Sequence, residues 1–191
     1  MNHVKRITRE TSVELSLELA PGDGVIETPC GFLNHMITLL AHHAGWQVRL
    51  AASGDLAVDA HHLTEDVGIA LGQALLQELQ SGPPRRRYGE CMLPMDGTLV
   101  LAAVDLSGRG FLAWEGTFPS PRCGDFDTEL VREFFLALTA NAGMSLHLIQ
   151  QSGRNAHHIL EGAFKSFARA LDEAKGLDPR KTDVPSTKGM L

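Results

Sequence analysis

The same five-residue signature occurs twice, as HHLTE at 61–65 and HHILE at 157–161, and a similar run of elements leads to each copy. A chain that repeats its element order in this way is constrained to build one supersecondary unit twice. Residues 4–19 (VKRITRETSVELSLEL) alternate polar and apolar side chains like a strand. A Pro-Gly-Asp-Gly turn at 21–24 follows, then a short second strand over 25–28. FLNHMITLLAHHA at 32–44 puts Leu33, Met36, Leu39 and Leu40 on one helical face. Residues 46–52 read as a strand, and the first signature helix runs from near His61 to about Gln80.

After the Ser-Gly-Pro-Pro break at 81–84 the order returns. Strands fit 90–106 and 110–117, a helix fits 127–142 with Asp127 or Thr128 as its N-cap, and a strand fits 144–150. The last helix runs from near His157 to Lys175. Each half is therefore expected as β-β-α-β-α, with two helices over one face of a small sheet, in an α+β fold. The halves are assigned to residues 1–84 and 85–181, with a short polar tail over 182–191. Neither half alone would bury much core, so the two are expected to pack together.

The signature carries metal chemistry. Residues four apart on a helix share a face, whereas adjacent residues diverge by about 100°. His61 and Glu65 can grip one ion, and His157 and Glu161 another. His62 and His158 point elsewhere, so each is expected to reach a different ion. His35, which opens the first long helix, and His147, in the strand before the second signature, can complete the shells. Six histidines and two glutamates give four protein ligands to each of two metals. A nitrogen-rich set with carboxylate and no thiolate suits manganese, iron, nickel, cobalt or zinc. It also lacks the cysteines common in closed structural zinc sites, which favours catalysis.

Composition removes other classes. The net charge of −6 over 191 residues argues against nucleic-acid binding. No apolar run approaches the roughly 20 residues that span a bilayer, and MNHVKRITRE at the start is no secretory signal. The chain is thus expected to be cytoplasmic. The three cysteines, Cys30, Cys91 and Cys123, are far apart, so neither a disulfide framework nor a thiolate site is expected. Two other readings stay open on these residues: a metal-holding scaffold without catalysis, and a dinuclear hydrolase of phosphate esters.

From about residue 4 onward the chain resembles the imidazoleglycerol-phosphate dehydratase family. The matching segments are RITRET at 6–11, GFLNHM at 31–36, GDLAVDAHHLTED at 54–66, RYG at 87–89, PMD at 94–96 and DLSGR at 105–109. FDTELVREFF at 126–135, SLHL at 145–148, HHILEGAFKSFARAL at 157–171 and PSTKG at 185–189 complete them. The resemblance implies two similar halves, each a four-stranded sheet with helices on one face. It implies a lyase that dehydrates D-erythro-imidazole-glycerol phosphate to imidazole-acetol phosphate in histidine biosynthesis, with two Mn2+ per active site. It further implies a homo-oligomer of 24 subunits with active sites at the interfaces.

Carried onto this sequence, the resemblance makes His35, His61, His62, Glu65, His147, His157, His158 and Glu161 the metal ligands. It makes Glu10, Arg87, Arg109, Lys165, Ser186, Thr187 and Lys188 the substrate contacts, so the polar tail becomes a phosphate-binding segment. Arg87, Arg109 and Lys188 offer the charge-assisted bonds that a phosphate needs. Glu10 is the candidate acid/base group, with His43 or Asp59 to orient it. Asn34, Leu63, Gly97 and Ala44-Gly45 depart from the family pattern. None of them replaces an expected ligand.

Overall fold

Along Thr11–Glu18 (β2) every second residue is buried, with Val13, Leu15 and Leu17 inward and Ser12, Glu14 and Ser16 outward. This period of two makes the segment a strand with one face on a core. In the computed structural model, which describes residues 1–81 and 85–178, β2 pairs antiparallel with Asn2–Ile7 (β1) and with Gln47–Gly54 (β4). The short strand Val25–Glu27 (β3) adds to β4 in parallel and completes a four-stranded sheet in the order β1-β2-β4-β3.

The second half repeats this arrangement. Tyr88–Met95 (β5), Thr98–Asp105 (β6), Phe111–Glu115 (β7) and Ser145–Ser152 (β10) form a sheet in the order β5-β6-β10-β7. A small hairpin of Arg122–Cys123 (β8) and Phe126–Asp127 (β9) is an addition that the first half lacks among the described residues.

Two stretches expected as single strands are hairpins. The 4–19 segment turns at Thr8–Glu10, and the 90–106 segment turns at Asp96-Gly97, where Asp96 has a positive φ of 49°. Alternation continues on both sides of each turn, so periodicity alone does not reveal the reversal. Each half is therefore β-β-β-α-β-α, and the extra strand gives each sheet its four.

The helices are Gly31–Ala44 (α1), His61–Gln80 (α2), Leu130–Ala142 (α3) and Ala156–Lys175 (α4). Gly45 and Gly143 end α1 and α3 in the left-handed conformation, at φ 63° and 65°, which glycine adopts without the Cβ penalty. The expected cap at Asp127 or Thr128 does not form. The Asp127 carboxylate is held by Arg122, Thr128 Oγ1 donates to the Ser120 carbonyl, and α3 starts at Leu130.

The helices lie between the sheets. α2 covers the inner face of the first sheet, and α4 covers that of the second. Across the join, α1 packs on α4 and α2 packs on α3, so a single core runs through both halves. The α2–α3 crossing is close because Gly68 and Gly72 face α3. A Cβ at Gly72 would lie 2.6 Å from the Leu138 carbonyl oxygen, and one at Gly68 would lie 2.7 Å from that of Phe134. Both obstacles are backbone, so neither can swing aside. Overpacking of this kind costs about 1–3 kcal/mol. Gly72→Val is expected to lower the thermal midpoint by about 5–10 °C at this chain length, measurable by calorimetry; an unchanged midpoint would mean the helices separate freely.

The outer faces of the two sheets differ. That of the first carries Lys5, Glu14, Ser16 and Arg49, with Ile7 and Val25 at its edges. That of the second carries Glu90, Asp105, Glu115 and His147 but also the apolar Tyr88, Met92, Leu101, Phe111 and Ile149, with Tyr88, Met92 and Phe111 each more than half exposed.

Candidate metal centre

Both signatures sit at the start of a long helix whose first turn is fixed by a side chain. Asp59 Oδ1 accepts from the His61 amide at 2.7 Å, and Asn155 Oδ1 accepts from the His158 amide at 3.1 Å. These bonds satisfy donors that have no partner inside the helix. Helical periodicity then brings His157 and Glu161 to one face, with Nε2 and Oε2 3.2 Å apart. From α1, His35 Nε2 approaches the same oxygen to 4.0 Å.

The three donor atoms all lie within 4.8 Å of one another, and they form the one such group of His, Cys, Asp or Glu among the described residues. Two imidazole nitrogens and a carboxylate oxygen suit a first-row divalent ion. Beside them opens a cleft of about 710 Å³ lined by Phe32, His35, Arg122, Arg154, Asn155 and His157.

Glu161 is only 7% exposed. Burial pushes its carboxyl up, but the hydrogen bond and charge of Lys165, with the fields of His35 and His157, outweigh this and hold it below the usual carboxylate range. Lys165 Nζ stands 2.5 Å from Glu161 Oε1. The expected substrate lysine is therefore the present counter-ion of the expected metal ligand.

At the first signature, His62 Nδ1 donates to Asp55 at 3.1 Å, and the Glu10 carboxylate stands 3.8 Å away. The bond to Asp55 holds the His62 imidazole above its ordinary pKa, with Glu10 adding to the effect. A carboxylate on Nδ1 leaves Nε2 to face a metal, the usual support of a ligating histidine. His158 has a similar neighbour, Asp96, with Oδ2 3.8 Å from Nδ1. His61 and Glu65 share α2 with His62, and Glu65 is exposed.

Sequence reasoning missed Asp55 as the hydrogen-bonded support of His62 and Asp96 as the acidic neighbour of His158, although both lie within segments that carry the family resemblance. It also missed the repeat counterpart of His35. Aligning the two left-handed glycines sets Glu133 of α3 at that place, and α3 runs alongside α2 as α1 runs alongside α4.

Other expected residues are distant within one chain. Leu146 and Leu148 point into the core, so His147 between them lies on the outer face of the second sheet, next to Ala103 and Ala113 and away from α4. Arg87 lies at the opposite end of α4 from His157. Its amide donates to the Ala174 carbonyl, seventeen residues along the helix from His157, a rise of roughly 25 Å. The Arg87 guanidinium is paired with Asp105 at 2.7 Å and lies over the Tyr88 ring. Arg109, in the turn after β6, is at that same end of the second sheet. His43 neighbours Lys165, Arg169 and Glu161 rather than Glu10, so the expectation that it orients Glu10 is not met within the chain. Asp59, by contrast, adjoins the first signature. Ser186, Thr187 and Lys188 lie outside the described residues.

Comparison with known proteins identifies the family and the fold. The family model for imidazoleglycerol-phosphate dehydratase matches residues 28–171. The imidazoleglycerol-phosphate dehydratase of Lachnoclostridium phytofermentans is 50% identical, covering 98% of this chain and 96% of its own. That of Acidiphilium cryptum is 51% identical, covering 98% and 97%. Among solved structures, the imidazoleglycerol-phosphate dehydratase of Staphylococcus aureus superposes with a TM-score of 0.85 at 39% identity, over 92% of this chain and 98% of that one. The Pyrococcus furiosus protein, solved in complex with (S)-C348, gives 0.86 at 36% identity, over 98% and 100%. With its duplicated fold and paired signatures, the chain belongs to the imidazoleglycerol-phosphate dehydratase family of hydro-lyases.

Proposed function

We propose that the chain converts D-erythro-imidazole-glycerol phosphate to imidazole-acetol phosphate and water, in histidine biosynthesis, using two Mn2+ per active site. The convergence of His35, His157 and Glu161 within 4.8 Å carries the reading. His61, His62, Glu65 and His158 are the other ligands proposed on the two signatures. Glu133 stands on the helix beside the first signature, whereas His147 joins a metal only from a neighbouring chain.

When bound, the ions supply Lewis acidity to the imidazole ring of the substrate, which lacks an acidic carbon of its own. The residues do the rest. Glu10, exposed at the β1–β2 turn beside His62, moves the proton lost from C2 as the C3 hydroxyl departs. The enol so formed tautomerises to the ketone. Arg87, Arg109 and the 186–188 segment bind the phosphate, and Lys165 exchanges its bond to Glu161 for one to substrate. Asp55 orients His62 throughout.

Arg87 meets α4 at Ala174, roughly 25 Å along the helix from His157, which supports a site shared between chains, since among the described residues Arg87 and Arg109 lie far from the metal groups of their own chain. The apolar residues on the outer face of the second sheet support assembly, which we propose to be a 24-subunit particle. No helix among the described residues is long and apolar enough to cross a membrane, and a cytoplasmic location is proposed.

The test is reconstitution. Protein stripped of metal is expected to be inactive, and restoring Mn2+ should return formation of imidazole-acetol phosphate at two ions per site. Absence of turnover in a metal-loaded, assembled particle would remove the dehydratase reading.

A further inference from the structure

Glu10 sits on a three-residue turn, Thr8–Glu10, whereas the matching hairpin of the second half closes with Asp96-Gly97 alone. The longer turn is held by side chains. The Glu10 amide donates to Thr8 Oγ1 at 3.1 Å, and the Thr11 amide donates to the same oxygen at 2.9 Å. Thr8 and Thr11 hydroxyls lie 3.1 Å apart, and Thr11 Oγ1 is bonded to Asp66 Oδ2. Asp66 Oδ1 accepts from Arg6 Nε at 2.7 Å.

The direction of this chain is determined. An ionised carboxylate only accepts, so the single hydroxyl proton of Thr11 goes to Asp66, and Thr8 must donate to Thr11. Each donor is used once: the relay runs from the Glu10 amide through the Thr8 and Thr11 hydroxyls to Asp66, while the Thr11 amide donates back to Thr8 and closes the turn. Asp66 is 6% exposed and both of its oxygens are engaged. It follows Glu65 on α2, so the chain ties the Glu10 turn to the helix bearing the first signature. The repeat counterpart of Asp66 on α4 is Gly162, and the second half builds the same sheet and helix without a carboxylate there. The fold as such does not require the acid.

We propose that Asp66 is a positioning residue for the reaction, acting through Thr11 and Thr8 to aim Glu10 at the substrate beside His62. This rests on the reading of Glu10 as the proton-moving group. A misplacement of about 1 Å can cost about 100-fold in rate. Loosening the turn is therefore expected to lower kcat and to leave uniform binding alone.

The experiment uses the assembled Mn2+ enzyme and imidazole-glycerol phosphate. Thr11→Val keeps the shape and deletes the hydroxyl; it should lower kcat at least tenfold, with KM, bound manganese and particle size unchanged. Thr11→Ser should restore kcat, and Asp66→Asn should reproduce the loss. Thr8→Ala, at an exposed position, reads the same chain where Thr11→Val fails to assemble. A kcat within twofold of the parent in both threonine variants, alongside an inactive Glu10→Gln, overturns the positioning role and leaves the Glu10 reading standing. Loss of manganese or assembly in step with kcat in both variants overturns it too, since that is structural damage. Undiminished turnover in Glu10→Gln removes the reading beneath the proposal instead.

Discussion

Glu161→Gln is expected to lower kcat by at least about a thousandfold and to reduce bound manganese, while the two-sheet fold survives. The substitution keeps the shape of the side chain and removes its charge. Glu161 is the one oxygen donor in the His35–His157–Glu161 trio, and it is buried. A neutral amide holds a divalent ion poorly, and the Lewis acidity at stake amounts to several kcal/mol, where about 4 kcal/mol is a factor of about a thousand. Lys165 makes the outcome sharper. Its ammonium lies 2.5 Å from Glu161 and its side chain is 17% exposed, so the variant strands a largely desolvated cation beside the trio. Metal analysis and steady-state kinetics on one preparation check this. Full turnover with a full complement of manganese would mean that the trio is not a metal site.

The second large effect concerns assembly. Leu101 lies at the middle of the outer face of the second sheet, between Met92 on one side and Ile149 on the other. Leu101→Glu puts a charge there, where the lone subunit still has water to solvate it. The subunit should fold normally. Against a neighbour the same charge is buried without a partner, at a cost of several kcal/mol per contact, and each ~1.4 kcal/mol weakens association tenfold. Small particles in sedimentation with unchanged circular dichroism are expected, together with loss of turnover, because Arg87 and His157 of one chain cannot serve one substrate. A dissociated variant with full activity would place the whole site within a single chain.

Much of the architecture was legible because side-chain period reports burial. The four helices and the strands at 47–54 and 145–152 lie close to where apolar spacing put them. The hairpins at Thr8–Glu10 and Asp96-Gly97 were not legible, because a strand that reverses keeps the same alternation on both arms. The β8–β9 hairpin was not legible for a different reason: its strands are two residues long, and it is anchored by single buried residues, Cys123 and Phe126, rather than by a run of alternating apolar ones.

At the site, His157 and Glu161 followed from helical geometry alone. His35 needed the tertiary fold, since only the packing of α1 on α4 brings it near. Asp55 and Asp96 were invisible as neighbours of the signature histidines because an acidic residue in a loop carries no period. The remoteness of Arg87 and the outward placement of His147 depend on which end of a helix or which face of a sheet a residue occupies, and no local pattern encodes that.

The helix pairs joining the halves have one more consequence. α1 and α3 occupy equivalent places in the repeat, as do α2 and α4, so the α1–α4 and α2–α3 contacts pair equivalent helices, the second drawn closer by Gly68 and Gly72 where α4 carries Phe164 and Ala168. Such reciprocity is the hallmark of an isologous two-fold dimer. An ancestral half-length chain could therefore have used the same surfaces to dimerise. Fusing two such copies would replace a concentration-dependent encounter with one at the millimolar effective concentration that a short linker imposes. Fusion also frees the copies from identity, and here the second outer sheet carries a central Met92–Leu101–Ile149 row where the first carries charge.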